Sequence, residues 1–199
     1  MSQNEHLQLV ADKKRMDARV RRTRDALGDA LVALMQQKPF DTITVQDVLD
    51  RAKVGRSTFY AHYSDKDDLL MSDAEEFFES ISMMLSVRGD QSERVFPVRE
   101  FFSHIIEAKQ FVDALVSSGK FHDNMELAHG MFARGIERRL AELPQGRGIP
   151  AAERPAIAYA HAGALLSLLK WWIDRGMRQP SAEMDQLFHK MVWKGVASL

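Results

Sequence analysis

The chain contains no cysteine. That absence excludes a disulfide framework, a thiolate zinc site and a thiol nucleophile together. Long apolar runs are missing as well: a stretch such as Ala162 to Leu169 is far short of the roughly 20 residues that span a bilayer. The N-terminus is polar and has no apolar h-region, so the reading expects no signal peptide, no membrane partner and a cytoplasmic location. No glycine-rich phosphate loop, nucleophile elbow or HExxH motif is present. Gly55-Arg56-Ser57 lacks the second glycine of an elbow, and no strand-like run precedes it. An enzyme is therefore not expected, and the sequence implies no cofactor and no metal. Proline is scarce, 6 in 199 residues, and Pro39, Pro144, Pro150 and Pro180 fall between apolar-periodic stretches, where they end helices.

What is present is unevenly charged. The net charge is −1, yet residues 1–66 carry 12 Lys and Arg against 9 Asp and Glu, and the remainder carries 15 against 19. Lys13, Lys14, Arg15, Arg19, Arg21, Arg22 and Arg24 cluster against Asp17 alone. A basic end on a near-neutral chain suits a local contact with a polyanion, and it suits a solvated tail equally well.

Helical periodicity accounts for nearly all the apolar residues. Residues 1–18 show no clear period and read as a flexible basic arm. Val20, Leu27, Leu31, Leu34 and Met35 then define a helix that ends near Gln37. Thr44 is positioned as the N-cap of a second helix, with Asp47 completing an acidic capping box. Arg56 to Tyr63 reads as a third helix, and Ser64 as the cap of a fourth that runs from about 65 to 87. Arg88-Gly89-Asp90-Gln91-Ser92 is the clearest break, and later helices are expected at about 94–108, 109–118, 122–142, 152–175 and 181–197. Nothing alternates like a strand, so the expected class is all-α.

The segment Thr44 to Lys66, TVQDVLDRAKVGRSTFYAHYSDK, has the composition of a helix-turn-helix. Such a motif needs two short helices, a tight turn and small polar side chains on the outer face of the second helix. Val45, Val48, Leu49 and Ala52 supply a buried face, Val54 fills the turn, Gly55 permits close approach and Phe59 anchors the second helix inward. Arg56, Ser57, Thr58, Tyr60 and His62 remain as the outward set. Arg can bridge guanine O6 and N7, Ser and Thr can bond either base type, and the Thr methyl can meet thymine. Tyr60, His62, Tyr63 and Lys66 suit phosphate oxygens, as do the amides at the helix start after Thr44. The alternative is that these aromatics are ordinary members of a helical core.

This run resembles the DNA-binding signature of the TetR family of one-component bacterial regulators. Phe40, Thr44, Val45, Val48, Ala52, Val54, Phe59, Tyr60, His62, Tyr63, Lys66 and Leu69 stand in register with it over about residues 20–85. Two positions depart: Lys53 replaces the more usual glycine, and Tyr63 the more usual Phe. The resemblance implies a helix-turn-helix DNA-binding domain over 19–66 and a ligand-binding and dimerisation domain over 67–199. It further implies a homodimer on double-stranded operator DNA, most commonly a repressor that a small molecule releases.

In the C-terminal part, Ile157, Ala164, Leu165, Leu168 and Trp172 form one helical stripe and Met184, Leu187, Phe188 and Met191 a second. In the family two such helices pack with their symmetry mates as a four-helix bundle, so these nine residues are the expected dimer interface; burial within the monomer is the alternative. Phe101, Phe102, Phe121, Met125 and Phe132 are an aromatic and methionine-rich set suited to an adaptable apolar pocket, or to a core. His104, His122 and His161 are the candidate polar contacts in that pocket, for an apolar effector of low charge. His122, Glu126 and His129 share one helix face at a spacing that could hold a divalent ion, but such coincidences are common among surface histidines and no metal is expected.

Overall fold

The computed structural model describes the backbone of residues 3–196 and the side chains of residues 18–194. Among the described residues every regular element is helical: α1 (Gln3–Met35), α2 (Val45–Ala52), α3 (Arg56–Tyr60), α4 (Lys66–Val87), α5 (Val98–Glu107), α6 (Lys109–Ser117), α7 (Phe121–Glu142), α8 (Arg154–Asp174) and α9 (Ser181–Val196). Short 3₁₀ turns occupy Phe40–Thr42 and Pro144–Gly148. The chain folds as two compact units, Met1–Asp73 and Ala74–Leu199.

In the first unit, α1 buries Leu27, Ala30, Leu31, Leu34 and Met35, a face spaced at three and four residues. These join Phe40, Ile43, Val48, Leu49 and Phe59 in a small core. Helix α1 extends back to Gln3, so the segment expected as a separate arm is continuous with it. No Gly or Pro precedes Gly28, and the stretch is rich in Leu, Gln, Lys, Arg and Ala, which are good helix formers. The first two residues of that expected arm lie outside the described residues. Gly28 lets α1 pass close to α4: a Cβ there would sit 2.5 Å from the Asp73 carboxylate.

Helix α2 starts where its capping box dictates. The Thr44 hydroxyl accepts from the Asp47 amide at 3.1 Å, and the Asp47 carboxylate accepts from the Thr44 amide at 2.7 Å. Lys38 donates to the same carboxylate at 2.8 Å and, with the Thr44 amide and the Thr44 hydroxyl donating there as well, holds the Asp47 carboxyl well below the usual carboxylate range. A depressed folded pKa adds stability at pH above the ordinary value of 3.8 and loses it only as pH falls toward the folded value. The cap therefore persists throughout the mildly acid range. Helix α4 begins one residue later than expected. Asp65 accepts from the Asp68 amide at 2.8 Å and is the capping side chain, while Ser64 donates through its amide and hydroxyl to Asp68.

The second unit is built on aromatic residues. Phe96, Phe101, Phe102, Phe132 and Trp172 are fully buried, and Phe101 and Phe132 meet edge-on with centroids 5.1 Å apart. Trp172 satisfies its indole N–H on the Gln179 carbonyl at 2.9 Å. Gly135 brings α7 against α4, because a Cβ there would meet Ser82 side chain and backbone at 2.8 Å. Helix α8 is long and apolar enough to cross a membrane by length and composition, but Leu165, Leu169 and Trp172 on it are fully buried in this core.

Helix α5 starts at Val98, later than the expected residue 94, because other groups claim the preceding backbone. Arg139 Nε donates to the Arg94 carbonyl at 3.0 Å, the Val95 amide donates to His189 Nε2 at 3.1 Å, and Pro97 has no amide hydrogen. Arg139 is buried, and its NH2 also donates to the carbonyls of Asp90 at 2.6 Å and Ser92 at 2.9 Å. One guanidinium thus satisfies three carbonyls of the segment linking α4 to α5.

Candidate nucleic-acid interface

The turn between α2 and α3 is made by Lys53. Its φ of 56° and ψ of 37° are left-handed, and the Val54 amide reaches back to the Leu49 carbonyl at 3.2 Å. This is the six-to-one bond of a Schellman motif, in which a glycine normally takes the left-handed place. Gly55, expected to permit close approach, does not do so. Its φ is −73° and an added Cβ would meet nothing nearer than Thr58 Oγ1 at 4.0 Å. Gly55 is instead the residue that opens α3, its carbonyl accepting from the amides of Thr58 and Phe59.

Five residues make too short a helix to be stable alone, so α3 depends on a single anchor. Phe59 is 0% exposed and packs against Tyr63 at a centroid distance of 5.7 Å. Once Phe59 points in, helical geometry turns Arg56, Ser57, Thr58 and Tyr60 out, and all four are exposed, Tyr60 at 51%. His62 follows in the turn, half-buried, its ring 6.2 Å from that of Tyr63. Thr44 is exposed at the start of α2, where the capping box occupies the amides of Thr44 and Asp47.

Two of the expected phosphate ligands have internal partners instead. Tyr63 is only 6% exposed, and its hydroxyl accepts from Arg24 Nε at 3.0 Å, with Arg24 NH2 continuing to Ser72 at 3.1 Å. It is a core residue with a polar handle, contrary to the expectation that it faces DNA. Lys66 donates through Nζ to the carbonyls of Phe40 at 2.7 Å and Ile43 at 2.9 Å, and lies 4.3 Å above the Phe40 ring. An ammonium has three donors, and these two bonds bind the start of α4 to the segment before α2. Sequence reasoning missed both locks, since the partners lie 39, 26 and 23 positions away. It also missed Gln46, which accepts from Arg56 NH2 at 3.1 Å; only its i,i+4 spacing to Asp50 hinted at a role.

Comparison with known proteins agrees with this arrangement of helices. Residues 27–72 match the model described as bacterial regulatory proteins of the tetR family, and residues 98–194 match a transcriptional regulator C-terminal region. The chain belongs to the TetR family. It is 32% identical over 187 residues to an uncharacterized HTH-type transcriptional regulator, YxbF, of Bacillus subtilis, covering 88% of this chain and 46% of that protein. The chain thus spans about half the length of this curated relative. A TetR transcriptional regulator from Streptococcus agalactiae shares the fold with a TM-score of 0.57 at 23% identity, over 90% of this chain and 98% of the other. A TetR-family regulator from Syntrophomonas wolfei shares it with a TM-score of 0.62 at 16% identity, over 88% and 95%. The family and these relatives are transcriptional regulators rather than enzymes.

In this TetR-family chain the C-terminal side chains divide differently from the expected interface. Leu165, Trp172 and Phe188 are fully buried and Met184 nearly so, all within the core of the second unit, so these four cannot face a partner. Ile157, Ala164 and Leu168 are partly exposed, and Leu187 and Met191 are 42% and 44% exposed. Tyr159 and Trp171 on α8 are exposed too, which the sequence stripe omitted.

Of the expected ligand set, Phe101, Phe102 and Phe132 are packed into the aromatic core, with Phe121 and Met125 partly buried against it. His104 is exposed, but one face stacks on Phe77 at 4.4 Å, and this shielding lowers its pKa against the pull of Glu107. Burial likewise lowers that of His161, whose ring lies 6.5 Å from Phe188. His122 is exposed. His129 faces the Tyr159 carbonyl at 3.0 Å, and among the described residues no group of three or more His, Asp or Glu is placed to hold a metal ion.

Proposed function

We propose that this chain binds operator DNA as a homodimer through α3 and represses transcription until a small apolar effector releases it. One observation carries the reading: Arg56, Ser57, Thr58 and Tyr60 stand exposed on a helix held by the fully buried Phe59. A short helix presenting guanidinium and hydroxyl groups fits the major groove, where Arg reads guanine and Ser and Thr read either base type. The Tyr60 hydroxyl suits a phosphate, which sets register without reading sequence. Four exposed apolar side chains on α8 and α9, Tyr159, Trp171, Leu187 and Met191, support a two-fold interface in which the same patch serves both subunits. Partly buried Phe121 and Met125 support an apolar effector on the second unit, which would act only by binding two states of the dimer unequally. A regulator of this kind works where its DNA is, in the cytoplasm.

The test is fluorescence anisotropy with a duplex taken from upstream of the chain's own gene, titrated against random competitor. A specific complex that weakens steeply with added salt is expected, and deleting the gene should raise expression from that promoter in a reporter strain. Equal affinity for the upstream and random duplexes would overturn operator recognition, and a fall in reporter output on deletion would make the protein an activator. Leu187→Glu with Met191→Glu should give folded monomers by sedimentation. A wild-type chain that is already monomeric at micromolar concentration would contradict the dimer.

A further inference from the structure

Arg56 is the side chain best suited to read a base, and it does not stand alone. Its NH2 donates to Gln46 Oε1 at 3.1 Å, and the Gln46 Nε2 donates to Asp50 Oδ1 at 2.9 Å. Gln46 and Asp50 are four residues apart on α2, a spacing at which Gln and Asp side chains meet on a helix surface. All three residues are exposed. The amide can lie only one way in this chain. Turned over, it would set its NH2 against the guanidinium and its carbonyl against the carboxylate, and both contacts would be repulsive. The carboxylate therefore orients the amide, and the amide presents an acceptor to the guanidinium across the turn.

We propose that Gln46 and Asp50 are specificity-determining positioning residues that hold Arg56 in the pose that reads its base; this rests on the reading of α3 as the DNA-recognition helix. An exposed arginine otherwise samples many rotamers, and ordering it on binding lowers affinity. A guanidinium has five N–H donors. The bond to Gln46 uses one and leaves the pair needed to bridge guanine O6 and N7. The arrangement orders the arginine before DNA arrives and excludes poses in which it would drop to a phosphate and read nothing. Asp50 has a second effect of opposite sign. A carboxylate on this face repels phosphates of any sequence, so it weakens all binding while it sharpens the one base contact.

That opposition gives the test. The full chain is incubated with a library of randomised 20-base-pair duplexes, bound DNA is sequenced, and affinity for one fixed random duplex is measured alongside. Wild type, Arg56→Ala, Gln46→Leu and Asp50→Asn are compared, with thermal unfolding as the control for folding. Arg56→Ala should abolish preference at one position of each half-site. Gln46→Leu should reduce preference at that same position by about two- to tenfold, leaving the others intact. Asp50→Asn should reduce it as well while tightening binding to the random duplex, whereas a merely structural role for Asp50 would weaken both. If Arg56→Ala removes the preference and Gln46→Leu leaves it within twofold of wild type, the positioning role is overturned and the reading of α3 stands. If no variant, Arg56→Ala included, alters any base preference, the reading of α3 falls and the proposal with it.

Discussion

In the first unit the polar groups that hold the fold sit at the ends of short helices, whereas in the second they are gathered around one buried arginine. Thr44 with Asp47, Asp65 with Asp68 and the left-handed Lys53 each begin or end one element within a few residues of sequence. Lys66 and Arg24 then bind those elements together from the rim. The consequence is a helix, α3, whose outward side chains Arg56, Ser57, Thr58 and Tyr60 stay exposed. The second unit buries Phe96, Phe101, Phe102, Phe132 and Trp172 and uses Arg139 to satisfy a segment with no regular structure. What distinguishes that unit is its buried core.

The largest effects are expected where each unit relies on a single buried side chain. Arg139→Met should destabilise the second unit by about 3–5 kcal/mol, because three carbonyls and Glu142 lose their donor inside the fold. Urea unfolding followed by Trp fluorescence checks it, since the tryptophans, Trp171, Trp172 and Trp193, all lie in that unit. Phe59→Ala should remove about 3–5 kcal/mol from the first unit by opening a cavity under α3. Its neighbour Tyr60→Ala should leave stability within about 0.5 kcal/mol of wild type while weakening DNA binding. Circular dichroism melts beside DNA titrations separate the two; equal destabilisation by both variants would show that α3 has no free face.

A smaller effect is expected at Lys66. Lys66→Met keeps much of the stem that lies over Phe40 but leaves two backbone carbonyls without their donor, which should destabilise by about 1–3 kcal/mol. A residue acting only on phosphate would instead lower the salt slope of DNA binding by about 1 with unchanged stability. The smallest effect is a gain. Lys53→Gly removes a side chain from a left-handed position and should stabilise the chain by up to about 1 kcal/mol, read as a higher melting temperature. A loss of stability would mean that the Lys53 side chain contributes more than its backbone strain.

The same contrast explains what could be read in the sequence. Thr44 with Asp47, and Phe59 with its outward neighbours, were legible because capping and helical spacing act over three or four residues. Tyr63 was not, because its hydroxyl is held inward by Arg24, 39 positions away on α1. Lys53 was noted as a substitution for glycine, but only the backbone shows that it occupies the left-handed place and that Gly55 does not. On α8 and α9 periodicity identified apolar stripes without saying which neighbour covers them. Helix α8 is apolar on more than one face, so Leu165 and Trp172 entered the core while Tyr159 and Trp171 stayed out. The pocket set fared similarly: Phe101, Phe102 and Phe132 fit a cavity lining and a core equally well by composition, and packing placed them in the core.

The proposed DNA site lies in the first unit and not in the second. Amide hydrogen exchange of the whole chain, measured with and without a bound upstream duplex, separates the two. DNA should slow exchange at residues 44–62, with the largest change across Gly55 to Tyr60. The buried core of α5 and α7 should exchange unchanged. Protection confined to residues 74–196, with residues 44–62 exchanging as in the free chain, would contradict that placement of the site.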